Sequence, residues 1–115
     1  MNVIRVLVEA FPRTAVSVPA QTLVGAAAGT ILAANPIRKA FIIQNTGTTI
    51  LYIAYGTTDP TVTAYHFALA PCLVANDGTG GIMDEDAWTG VVKAIGSAAG
   101  GSCVLTEFTG PPAAG

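Results

Sequence analysis

The sequence predicts an all-β protein: one small antiparallel β-sandwich or barrel-like domain, jelly-roll-like, with little or no helix. Turn signals built from Gly, Pro, Asn and Asp recur about every ten residues along most of the chain. The runs between them are rich in β-branched and aromatic residues, and several alternate in polarity. No segment carries apolar residues at helical spacing for long enough to make a stable helix.

The first element is Val3 to Glu9, where Ile4, Val6 and Val8 share one face and Arg5 and Glu9 the other. Residues 1–13 are expected to form a strand or arm, exchanged with a neighbour or gripping one, ahead of a sandwich domain at 14–109. Thr14 to Val18 offers a short second strand before Pro19. Gln21 to Ala28 has two readings, a short helix from Leu23, Val24 and the alanines, or irregular structure because of Gly25 and Gly29. Ile31 to Ala34 reads as a strand closed by the Asn35-Pro36 turn. Ala40 to Asn45 and Ile50 to Gly56, joined by Thr46, Gly47 and Thr48, predict a hairpin. Both of its strands carry bulky apolar groups on both faces, which places it centrally in a sheet or covers its second face. Thr57 to Pro60 is a turn, and Tyr65 to Leu69 alternates as a half-buried strand. Cys72 to Ala75 is short and apolar, and Asn76 to Gly81 is a glycine-rich turn. Val91 to Ile95 and Ser102 to Phe108 are the last strands, linked by Gly96 to Gly101. In the tail at 110–115, Pro111 and Pro112 lack the donors a sheet interior needs.

Composition narrows the function. The 115 residues make one domain, and 51% hydrophobic content excludes intrinsic disorder. Only 10% of residues are charged, against about 25% in a typical soluble domain. So little charge leaves wide neutral surface, which on a soluble protein points to coverage by a partner. A net charge of −2 with five basic residues provides no basic stripe for nucleic acid and suits anionic membranes poorly. Arg5 and Glu9 interrupt any signal-peptide core. The uncharged stretch from Thr14 to Pro36 is too broken by Pro19, Gln21, Gly25 and Gly29 to read as a membrane span.

Catalytic, metal and cofactor chemistry finds no candidate. His66, the single histidine, has no nucleophile or carboxylate beside it in sequence. Asp84-Glu85-Asp86, with Asp77 upstream, is the only acidic cluster, and it lacks EF-hand spacing. Gly78 to Gly81 and Gly96 to Gly101 lack the Lys-Ser/Thr of a phosphate loop. Cys72 and Cys103 read as buried thiols, with a disulfide the alternative. Trp88, Tyr52, Tyr55 and Tyr65 are either core and interface aromatics or a sugar-stacking platform.

Ala34-Asn35-Pro36-Ile37-Arg38, Ile43-Gln44-Asn45-Thr46-Gly47 and Tyr52-Ile53-Ala54-Tyr55-Gly56 together resemble small capsid decoration, or cement, proteins of tailed phages. The similarity continues through Leu69-Ala70-Pro71 and Trp88 to Ile95, and ends near Val104 to Glu107. Many proteins of that kind carry glycine after the proline, where this chain has Cys72. The resemblance implies a β-sandwich on the outer face of an icosahedral shell, assembled in the host cytoplasm and often trimeric. Its partner would be the major capsid protein, and it would tie neighbouring capsomers together. Val3, Arg5, Leu7, Arg38 and Trp88 are the contact residues expected on that reading, with no cofactor, nucleic acid or membrane involved. A tail, neck or baseplate component and a carbohydrate-binding β-module are the competing expectations.

Overall fold

The computed structural model describes residues 13–111. The strand expected at 3–9, the contacts Val3, Arg5 and Leu7, and residues 112–115 of the tail lie outside the described residues. Among the described residues, nine strands make up two antiparallel sheets: β1 (Ala15–Val16), β2 (Gln21–Val24), β3 (Gly29–Leu32), β4 (Arg38–Asn45), β5 (Leu51–Tyr55), β6 (Phe67–Leu69), β7 (Ile82–Glu85), β8 (Val92–Gly96) and β9 (Gly101–Thr109). In the first sheet β1 and β2 both pair with β9, followed by β4 and β7; the second runs β3-β8-β5-β6.

The pairings follow one rule. β2 meets β9, β3 meets β8, β4 meets β7 and β5 meets β6. That is one long antiparallel hairpin with β5 and β6 at its tip. Rolling it up so that β4 joins β9 and β5 joins β8 produces a jelly roll. Apart from β5 to β6, every connection from β2 onward crosses from one sheet to the other.

The same rule corrects the hairpin expected at Ala40 to Gly56. β4 and β5 are both central strands, as their two-sided apolar character requires, but they lie in opposite sheets. The backbone of the connection bonds to other segments rather than across a two-strand turn. Thr46 N donates to Ser102 O at 3.1 Å, and Gly47 O accepts from Cys72 N at 2.8 Å. Buried Asn45 fastens the crossing: its Nδ2 donates to Thr49 O (2.8 Å) and Leu69 O (3.1 Å), and its Oδ1 accepts from Gly47 N (3.0 Å). Gly80 lets the chain pass there, because a Cβ at that position would lie 1.8 Å from Asn45 O.

Gln21 to Ala28 resolves as strand β2 followed by a turn, and the next strand begins at Gly29 rather than Ile31. β1 and β2 are successive pieces of one edge along β9. The two pieces differ in register by one residue (Val16 with Phe108, Gln21 with Val104), and Pro19, which has no donor, lies in the break. β7 carries Asp84 and Glu85, which mask its strand character in the sequence. A short edge strand tolerates such residues. Between the sheets, Phe41, Ile43, Leu51, Ile53, Val92, Ala94 and Cys103 form the centre of the core.

Candidate interaction surface

Arg38, a contact expected on the resemblance, lies inside the fold. Its side chain is fully buried against Glu107. Nε donates to Glu107 Oε2 at 2.8 Å, Nη1 to the carbonyls of Gly90 (2.9 Å) and Trp88 (3.2 Å), and Nη2 to the Ala33 carbonyl. The planar fork therefore ties two loops to the first sheet. Trp88 is half-buried and equally occupied. It stacks on Tyr55 with centroids 5.5 Å apart, donates Nε1 to Val91 O at 3.0 Å, and crowds Gly90, where a Cβ would lie 2.6 Å from the indole. Trp88 and Tyr55 thus each turn one ring face to the other.

The acidic cluster diverges. Asp84 lies on the outer face of the first sheet. Glu85 turns inward to accept from the Tyr55 hydroxyl at 3.4 Å, and Asp86 pairs with Arg13 at 3.0 Å. Burial first, and then the Glu85 charge, push the Tyr55 hydroxyl up to about 12. His66 Nδ1 accepts the Tyr55 backbone N–H at 2.9 Å. Cys72 and Cys103 are buried free thiols, and burial pushes the Cys103 thiol up to about 11.

The surface available to a partner lies elsewhere. The pleat and register place Leu23, Ile42, Ile82, Val104, Phe108 and Val16 on the outer face of the first sheet. Beside them stand Gln21, Gln44, Thr106 and the charge of Asp84; at the β1 end Arg13 lies over the Phe108 ring, 5.2 Å from its centroid, and Lys39 of β4 lines a surface pocket with Arg13 and Asp86. At the Gly47 end, the loop after β6 raises Leu73 and Val74, which are 85% and 67% exposed, and Leu23 on β2 is 82% exposed.

That loop is held open by a clamp. Asp77 accepts from the Thr79 hydroxyl (2.6 Å), the Thr79 amide (2.9 Å) and the Val74 amide (2.9 Å), while Thr79 Oγ1 accepts the Leu73 amide at 2.8 Å. Asn76 takes the left-handed conformation at φ 64°, which Asn tolerates better than most residues. Gln21 Nε2 joins β2 to the loop through Asn76 Oδ1 and to Thr46 Oγ1, just past the end of β4. Two large apolar side chains are thereby presented to solvent in a fixed backbone. Sequence reasoning missed Leu73, Val74, Leu23 and Ile82. The one available signal was the Asp77-Gly78-Thr79 turn, which marks an ordered loop.

The bonds from Thr79, and then from Val74, hold the Asp77 carboxyl down to about 2 from 3.8. A depressed carboxylate stabilises the loop fully above its unfolded value of about 4, and that contribution is lost as pH falls through about 2. The Val74 and Thr79 amide resonances are therefore expected to titrate together with a midpoint near 2; a midpoint of about 4 would mean that the clamp is not formed.

Compared with known proteins, the chain matches no family model, no curated protein and no solved structure.

Proposed function

We propose that the protein is a non-catalytic structural component of a tailed-phage virion. It binds the outer capsid surface, with the major capsid protein as partner, and stabilises the shell by bridging capsomers, as a homotrimer. The observation that carries this reading is the clamped Leu73–Val74 loop with exposed Leu23 at the same end of the first sheet, whose outer face also carries Ile42, Ile82 and Val104. Ordered, exposed, neutral apolar surface is what a shape-complementary protein contact uses, and a lattice of repeated sites multiplies weak single contacts. The jelly-roll order is compatible by analogy, since it recurs in viral coat domains, although architecture alone does not assign function.

Quantitative mass spectrometry of gradient-purified particles tests the reading. A ratio to the shell protein near one to one, or one to a few, is expected; a handful of copies would move the protein to the tail, neck or baseplate. The triple variant Leu23→Ser, Leu73→Ser, Val74→Ser is expected to weaken particle binding at least about 100-fold, since each lost anchor is worth about 1 kcal/mol or more. Folding stability should change little, because all three side chains are already exposed. Unchanged particle binding by that variant would remove the loop from the contact.

A further inference from the structure

The long connection between β5 and β6, Gly56 to His66, folds back over the outer face of the second sheet. Asp59 pairs with Lys93 of β8, and the Tyr65 ring lies on Tyr52 of β5 with centroids 4.7 Å apart. Thr61 and Ala64 close the tip by exchanging backbone hydrogen bonds of 2.9 and 3.2 Å. Ala54, which alternates to the outside of β5, is consequently only 5% exposed. Under this flap lies an open cavity of about 330 Å³, lined by Ala54, Tyr55, Thr58, Asp59, Tyr65 and His66 among others.

The lining groups have fixed polarity. Because His66 Nδ1 accepts the Tyr55 amide, the neutral imidazole carries its proton on Nε2, a donor. Asp59 spends Oδ1 on Lys93 and keeps Oδ2 as an acceptor, and the Thr58 hydroxyl can do either. Tyr65, 44% exposed, adds a flat apolar ring. We propose that this cavity binds one neutral sugar ring, with Tyr65 under its C–H face and Thr58, Asp59 and His66 on its hydroxyls. An anionic ligand would meet the Asp59 carboxylate, whose Lys93 partner is already engaged. A purely apolar ligand would leave three polar groups desolvated without partners. The volume is at the low end for ligand sites, enough for a single ring. This assignment does not depend on the particle-binding reading.

The test is a ¹H–¹⁵N NMR titration of the full chain with the methyl glycosides of glucose, galactose, mannose and N-acetylglucosamine, each to about 100 mM. Saturable shifts confined to the amides of Thr58, Asp59, Ala64, Tyr65 and His66 are expected for at least one glycoside, with a Kd on the order of 1–10 mM. Tyr65→Phe should keep binding, and Tyr65→Ala should weaken it about tenfold or more. Tyr65→Ala also loosens the flap, so Thr58→Ala, which fastens nothing, is the second variant and should weaken binding about threefold to tenfold. No saturable shift with any of the four glycosides overturns the proposal. So do shifts mapping away from the flap, or wild-type affinity in both Tyr65→Ala and Thr58→Ala.

Discussion

Arg38→Ala is expected to destabilise the protein by about 3–5 kcal/mol, the cost of removing one partner from a buried, hydrogen-bonded ion pair. A domain of this kind has about 5–15 kcal/mol in total, so the variant should unfold at much lower urea and lose most of its soluble yield. The size follows from what the guanidinium leaves behind: Glu107, only 22% exposed at its side chain, and the carbonyls of Ala33, Trp88 and Gly90. Arg38→Lys should recover only part of the loss, because an ammonium cannot reach two loops and a carboxylate in one plane. Arg38→Ala combined with Glu107→Ala should be less damaging than the sum of the two single changes, since neither then leaves the other's charge unpaired. Equilibrium urea melts of the wild type and the four variants check this. A loss below about 1 kcal/mol for Arg38→Ala, the scale of an exposed ion pair, would show that the cluster is not a fastening.

Asn45→Asp is expected to cost about as much, on the order of 3–5 kcal/mol, in a change of almost no volume. The Asn45 amide, 1% exposed, donates to Thr49 O and Leu69 O. A carboxylate there points an acceptor at two acceptors and buries a charge beside them. Asn45→Ala removes the same bonds without the charge, and about 2–4 kcal/mol is expected from it. Because Asn45 holds the crossing from the first sheet to the second, the loss should be felt locally as well. Exchange of the Gly47 amide, which Asn45 Oδ1 accepts at 3.0 Å, should become fast relative to core amides. Urea melts with hydrogen exchange measure both effects. A protected Gly47 amide in Asn45→Ala would mean that the corner is held by the backbone bonds of Thr46 and Cys72 alone.

These residues show where sequence reasoning succeeded and where it ended. The all-β class, the central character of β4 and β5, the breaks at Pro19 and Asn35-Pro36, and the alternation of Phe67 and Leu69 with Ala68 were legible. Each depends on local quantities: the period of two along a strand, the missing donor of proline, the freedom of glycine. β7 was not legible, because an edge strand facing solvent on one side needs few apolar residues and Asp84 and Glu85 hide it. The hairpin assigned to β4 and β5 failed for a different reason. The segment Asn45 to Ile50 has the composition of a tight turn, and composition is the same whether its carbonyls and amides bond across a ladder or to Ser102, Cys72 and Leu69.

The candidate surface divides along the same line. That much neutral area must be exposed followed from the small number of charges, a property of the chain whatever its fold. Which residues provide it depended on distant contacts. Arg38 looked like a surface cation and is buried, because Glu107, sixty-nine residues away, and three carbonyls converge on it. Leu73 and Val74 belong to a short apolar run and are exposed, because the Asp77 clamp fixes the loop outward. Burial is a sum over neighbours brought together from across the chain, so only the rolled-up sheet could decide it.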